Sequence, residues 1–327
     1  MPVVIVILLI VAAVLACAFL YINISRKLFR KIFVRPHPVS RVDRSPEKID
    51  QSTIFGRGKN WFYTTRNEYI NVRIDSFDKT KLSGYFRPSS DRSTRSAVIF
   101  LHGYNEHPSE CAAYAKLMMK QIQCHVLITH MRGHGVSGGK YCTYGVYESV
   151  DLMRWIDFIR RQTGKDTRIY IYGRCMGAVS ALLAAATDEL RGNIAGIIAD
   201  SPYDTFETGA VNFMSIVKPH LKLQLFMPML NRMAKSKFGF DMSMCDCAIN
   251  AEKIRVPVLF FSGGNDKICP PDVVRSIYDE VTSPKRLVVI DHADHLMGYD
   301  KAPSVYEKEV RHFVEKCVER LILMGKL

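Results

Sequence analysis

The sequence predicts an α/β protein: a mostly parallel sheet covered by helices on both faces, preceded by one apolar helix and carrying a helical cap. Three observations carry this prediction. From Trp61 onward, short apolar runs alternate with stretches of helical periodicity. Pro2 to Ser25 contains no charged side chain. Between Pro202 and Ile254 the alternation stops, and the chain turns rich in Phe, Met, Leu and Lys.

The uncharged stretch comes first. It is long enough to cross a bilayer as a helix and has no polar face to suit burial in a globular domain. No lysine or arginine precedes Arg26, whereas a cleaved signal peptide starts with basic residues. Val14-Leu15-Ala16-Cys17 has the outline of a lipoprotein cleavage box, but apolar sequence continues past it. A single membrane anchor over residues 1–25 is expected. Arg26, Lys27, Arg30, Lys31 and Arg35 follow it directly, which puts the body on the cytoplasmic side by the positive-inside rule. Residues 26–60 read as a basic juxtamembrane segment and linker, with Pro36, Pro38 and Pro46 and a short helix near Glu47.

The body is expected over residues 61–327. "EYINVRI" and "KLSGYFRP" flank Asp78-Lys79-Thr80 and read as a hairpin. "AVIFLHG" and "HVLITHMRGHG" read as buried strands ending in turns, with a helix from Ser109 to Gln121 between them. Val146 to Arg161 has apolar residues at helical spacing. "RIYIYG" is a strand, Met176 to Thr187 an alanine-rich helix, and "IAGIIADSP" a further strand. Two helical pieces separated by prolines fit residues 203–253, expected to be a cap inserted after the sixth strand. Its Met and Phe suit an apolar pocket, because methionine fills irregular spaces, although most should simply pack the cap on the core. "VPVLFFSGGND" and "RLVVID" are the last strands, with helices over Pro270 to Tyr278 and Val305 to Arg320.

The bulk properties narrow the function. The chain has 327 residues and a formal charge of +13. Beyond the run after the anchor the basic residues are scattered, without a basic stripe interleaved with aromatics, so nucleic acid is not an expected partner. Nine cysteines, an odd number without framework spacing, favour free thiols over a disulfide scaffold. Cys245-Asp-Cys247 has no second pair at zinc-ligand spacing. "HGVSGGK" lacks Walker spacing. No metal or organic cofactor is implied.

The segment carrying chemistry is "YGRCMGA". It reads as a strand, a glycine turn and a helix, with Cys175 on the turn. Gly173 and Gly177 allow the tight turn and a close strand–helix approach. A helix N-terminus favours an anion, so it lowers the pKa of a thiol held there.

With "LHGYNEHP", "MRGHGVSGG", "DSPY", "PVLFFSGGNDKICPP" and "HADHLMGY" in order around it, the chain resembles the α/β-hydrolase superfamily from Trp61 to Lys316. In particular it resembles bacterial single-pass hydrolases with an N-terminal anchor and a helical cap. The resemblance implies the α/β-hydrolase fold, Cys175 as nucleophile, His295 as base and Asp266 as the acid that fixes the imidazole tautomer. His292 is the rival base, and Asp291 and Asp294 are weaker acids. Asn265-Asp266 is also turn chemistry. By the same resemblance the backbone N–H groups of Tyr104 and Met176 form the oxyanion hole. "RGHGVSGG" supports the fold and the site entrance.

Cysteine stands where most of the superfamily has serine, although its dienelactone hydrolases also carry cysteine there. A thiolate is intrinsically more nucleophilic than an alcohol, but a larger atom in a serine-shaped site is imperfectly placed. The expected function is a membrane-anchored acyl hydrolase for a small, apolar carboxylic ester or thioester. The alternatives are a scaffold disabled at its nucleophile, by nature or by engineering, acting as a binding protein, and a peptidase or acyltransferase.

Overall fold

The computed structural model describes residues 2–35, 49–91, 93–190 and 194–325. The apolar start forms one helix, α1 (Pro2–Phe33), with no acidic residue in its first turn and Arg30 and Lys31 in its last, an arrangement the helix dipole favours at the C-terminal end. Val3 to Val11 are all exposed. The helix does not stop at Ser25, because Leu28, Phe29, Ile32 and Phe33 recur at helical spacing and are buried in the core. Arg26, Lys27, Arg30 and Lys31 stay exposed on the other side.

The linker expected over residues 26–60 is thus largely part of the body. After α1 the chain is stitched to the loop at residues 140–142: Arg35 N donates to Lys140 O at 2.9 Å and Cys142 N to Phe33 O at 2.9 Å. α2 (Ile54–Thr64) is capped by the Thr53 hydroxyl, which accepts from Gly56 N, and its Phe62 is buried. The body therefore begins before Trp61, since apolar side chains on both sides of the prolines need cover. The expected helix near Glu47 lies outside the described residues.

The remaining elements follow the anticipated alternation. β1 (Ile70–Asp75) and β2 (Lys81–Arg87) form the hairpin; then come β3 (Ser96–Leu101), α3 (Ala112–Gln121), β4 (His125–Thr129) and α4 (Val146–Thr163). β5 (Arg168–Arg174), α5 (Met176–Ala185) and β6 (Gly196–Asp200) complete the first half. α6 (Phe206–Val217), α7 (Met227–Phe238) and α8 (Cys247–Ala251) interrupt before β7 (Val258–Gly263), α9 (Pro271–Glu280), β8 (Lys285–Ile290), α10 (Gly298–Lys301) and α11 (Pro303–Leu323).

The eight strands lie in the order β1-β2-β4-β3-β5-β6-β7-β8. The hairpin pairs antiparallel, with itself and with β4, and the remaining pairs are parallel. Both faces of the centre are covered. Ala97, Ile99 and Leu101 of β3 enter one apolar cluster, and Val98 and Phe100 the other, each large side chain stabilising the fold by about 1.5–3 kcal/mol through burial. That is why the central strands are continuous apolar runs. Their carboxyl ends point towards α6 and the end of α1.

Candidate active site

The turn between β5 and α5 holds Cys175 at φ 45°, ψ −110°. A non-glycine residue is rarely found there and is kept only by strong surroundings. Glycine on either side is required sterically. A Cβ on Gly173 would lie 2.4 Å from Gly177 O, and one on Gly177 2.2 Å from Leu101 O. Cys175 N donates to Asp200 O at 2.8 Å, and the Asp200 carboxylate accepts from Tyr306 Oη at 2.8 Å. The "DSPY" segment thus anchors the turn.

His295 follows β8, and Asp266 follows β7. His295 Nδ1 lies 2.7 Å from Asp266 Oδ2. The other carboxylate oxygen of Asp266 accepts from Ile268 N at 2.9 Å and Cys269 N at 2.8 Å, which aims Oδ2 at the ring. The two loops are tied by Gly264 N to Ile290 O at 2.8 Å and Asn265 N to Ala293 O at 2.9 Å. His292, Asp291 and Asp294 are exposed.

A cysteine not anticipated from sequence completes the group. Cys175, Cys269 and His295 each offer a ligand-type atom, all within 4.8 Å of one another. The Cys269 thiol donates to Cys175 and is the largest influence on it. Burial opposes that effect, while the charge and hydrogen bond of His295 reinforce it, so the Cys175 thiol is pulled down to about 6. Burial and the neighbouring Cys175 push Cys269 well up, so it stays a thiol and a donor. Burial works against a charged His295, but the Cys175 thiolate and Asp266 overcome it and raise His295 to about 10. Each group thus favours the charged form of the other, a thiolate on Cys175 and an imidazolium on His295. Two sulfurs and a ring nitrogen, with Asp266 behind the ring, are also a donor set that suits a thiophilic ion such as zinc. An ion there would occupy the Cys175 sulfur.

Around the turn, the loop after β3 is arranged by two residues that the sequence left unmarked. Glu106 Oε2 accepts from Gly103 N at 2.7 Å, and Arg174 grips the same carboxylate at 2.7 and 3.1 Å. This part-buried pair locks the loop to the residue before Cys175. His102 completes the support: its Nε2 accepts from Met131 N at 3.1 Å, and its Nδ1 lies 2.8 Å from Gly103 O. Among the described residues, the N–H groups of Tyr104 and Met176 donate to no protein acceptor. Met176 follows Cys175 and opens α5, and Tyr104 lines the same cavity as Cys175. In "RGHGVSGG", Arg132 is buried and binds Asp151 at 2.7 and 2.8 Å and Asp78 at 2.8 Å, a structural role.

A cavity of about 640 Å3 opens over Cys175 and His295, within the size range of small-molecule sites. α6 contributes Phe206, Phe213, Met214 and Val217 to its wall. By contrast, α7 uses Met227, Leu230 and Ala234 for packing. Beside α6, the end of α1 and the residues after it, including Ile32, Val34 and Arg35, also line the cavity. Phe33 stacks on Phe206 at 5.4 Å, and Tyr21 on Phe226 at 5.3 Å, which fixes α1 against the cap.

Comparison with known proteins agrees with this architecture. The model of a hydrolase family described as serine aminopeptidase, S33, matches residues 92–238 and 238–302. The uncharacterized protein YqkD of Bacillus subtilis is 27% identical over 253 residues, which are 74% of this chain and 82% of that protein. The Pyrococcus furiosus esterase Pf2001 superposes with a TM-score of 0.64 at 23% identity, covering 87% of this chain and 98% of the esterase. Est1E of Butyrivibrio proteoclasticus, solved with ferulic acid bound, gives a TM-score of 0.55 at 21% identity, covering 76% and 99%.

Proposed function

The chain belongs to the serine aminopeptidase S33 family of hydrolases, and from that premise we propose that it is a membrane-anchored acyl hydrolase acting on carboxylic esters or thioesters through Cys175, His295 and Asp266. One observation carries the reading: His295, held by Asp266 at 2.7 Å, faces a sulfur flanked by two unengaged backbone N–H groups. The Cys175 thiolate attacks the acyl carbon. The N–H groups of Tyr104 and Met176 hold the resulting oxyanion. His295 gives its proton to the departing alkoxide or thiolate, and a thioester to Cys175 remains. His295 then takes a proton from water, whose oxygen attacks the thioester; the acid leaves and the Cys175 thiolate returns. Asp266 keeps Nδ1–H pointed at itself, so the other ring nitrogen does the proton transfer.

The cavity favours acyl over aminopeptide substrates. An aminopeptidase needs a carboxylate for the substrate's ammonium group, and the one acid on the described cavity wall, Glu106, is held by Arg174. The structural likeness to the Pyrococcus furiosus esterase Pf2001 points the same way. The exposed apolar stretch of α1 is the anchor, with the body on the cytoplasmic side of its basic end.

Hydrolysis of p-nitrophenyl esters from acetate to decanoate, by the full chain and its Cys175→Ser and Cys175→Ala forms, tests the proposal. Activity in the Cys175 protein and none in the alanine form is expected. Activity in the serine form alone would mean a disabled serine-hydrolase scaffold, and silence in all three would favour a binding protein.

A further inference from the structure

Arg35 is a buried cation on the wall of the reaction cavity. It is 9% exposed and lines the same cavity as Cys175 and His295. Its Nη2 donates to Ile32 O at 2.9 Å and to Tyr104 Oη, and its guanidinium lies 4.2 Å over the Tyr104 ring. Its Nε is buried and makes no hydrogen bond. Among the described residues its hydrogen-bond partners are Ile32 O and Tyr104 Oη, with no carboxylate; burial works against its charge, and Cys142, Tyr104 and Tyr144 favour it. Buried arginines elsewhere in the molecule are treated differently. Arg132 has Asp151 and Asp78, and Arg174 has Glu106. A buried charge without a counter-charge is costly.

Two more features bear on which group could meet the Arg35 charge from within the cavity. Arg30 and Lys31 also line the cavity and are exposed at its α1 edge, so one rim is cationic. α6 adds apolar side chains: Phe213 and Val217 line the cavity and are 40% and 46% exposed. The cavity thus combines cationic side chains from the end of α1 with apolar ones from the cap.

Resting on the acyl-hydrolase reading, we propose that the substrate is an anionic amphiphile: an acyl ester or thioester whose leaving part carries a phosphate or carboxylate bound by Arg35, with the acyl chain along α6. A guanidinium suits charge-assisted hydrogen bonding to either anion. Arg30 and Lys31 attract the anion to the entrance. The same chemistry is offered by a single-chain phospholipid in the membrane and by a soluble acyl phosphoester or thioester.

The test compares 1-acylglycerol 3-phosphate with the uncharged monoacylglycerol of the same chain, using the full-length protein and its Arg35→Gln and Arg35→Lys forms. One arm presents octanoyl esters in solution; the other presents oleoyl esters in phosphatidylcholine vesicles. The native protein should prefer the phosphate ester. The ratio of kcat/KM, phosphate over neutral, should fall about tenfold to a hundredfold in Arg35→Gln, as for loss of a charged hydrogen bond, and less in Arg35→Lys. Selectivity in either arm upholds anion recognition, and the arm showing it identifies the source. No preference in the native protein in either arm, or an equal loss on both esters with a lowered Tm, overturns it. Binding of dodecyl phosphate to Cys175→Ala, with and without Arg35→Gln, separates the two readings. Binding that depends on Arg35 without any ester turnover overturns the hydrolase and leaves the anion site standing; turnover without selectivity does the reverse.

Discussion

The two walls of the reaction cavity are built on opposite plans. The core wall consists of turns at the carboxyl ends of β3, β5, β7 and β8, fixed by hydrogen bonds such as Cys175 N to Asp200 O and Gly264 N to Ile290 O. The outer wall consists of α6 and the end of α1, far apart in sequence and joined by aromatic stacking such as Phe33 on Phe206. The core wall is hydrogen-bonded; the outer wall is packed. A change on the core wall should remove turnover and spare the fold, whereas one on the outer wall should loosen the fold and alter which substrates enter.

The largest effect separates the walls most sharply. Replacement of His295 by alanine removes the proton donor and acceptor and should lower kcat by about a thousandfold or more, as for other catalytic-triad members, with Tm nearly unchanged. Steady-state kinetics beside a thermal melt checks this; retention of kcat would remove His295 from the chemistry.

The next effect belongs to the outer wall. A chain beginning at Tyr21 keeps Phe29, Ile32 and Phe33 and should fold as a soluble body. A chain beginning at Trp61 loses them and most of α2, uncovering Phe206 and Phe240. Even Phe33→Ala should cost about 3–5 kcal/mol, so the shorter chain should melt much earlier or aggregate. Equal melting temperatures would show that the end of α1 is dispensable.

A smaller, diagnostic effect concerns Cys269. Its thiol is the largest cause holding Cys175 down to about 6. The thiolate is present above that value, so kcat/KM should rise through mildly acid pH and level off. Cys269→Ala removes the donor, raises the Cys175 pKa and moves the acidic limb upward. The rate should fall several-fold near neutral pH and recover in alkali, and an unmoved limb in a pH–rate profile would contradict this role. The same pair of sulfurs with His295 should make zinc an inhibitor relieved by a chelator, less potent against Cys269→Ala.

The difference between the walls also explains what the sequence made legible. Cys175 between its glycines was marked by the turn, whereas His295 and Asp266 were singled out by resemblance to the α/β-hydrolase motifs; the structure brings the three side chains together. The alternation of strands and helices was readable because central strands buried on both faces must be apolar throughout. Cys269 was not, although it stands three residues after Asp266, because no spacing rule predicts a thiol brought beside Cys175 by loop packing. Glu106 and Arg174 both lie in quoted motifs, yet their pairing spans two strands and leaves no local trace. The role of residues 28–35 was hidden by composition: interspersed arginines and lysines read as juxtamembrane sequence, while the apolar stripe between them spans only two helical turns. The exposed apolar stretch and the core-packing stripe lie on the same helix, and the sequence displayed only the first.

The most direct test is to identify the atom that carries the acyl group. The full chain would be mixed with p-nitrophenyl octanoate, quenched in acid within the first turnovers and analysed by peptide mass spectrometry, beside Cys175→Ala. The account predicts an octanoyl increment on the peptide containing Cys175, labile to hydroxylamine and absent from the alanine form. Ester turnover with no acyl group on Cys175, and retained by the alanine form, would contradict it.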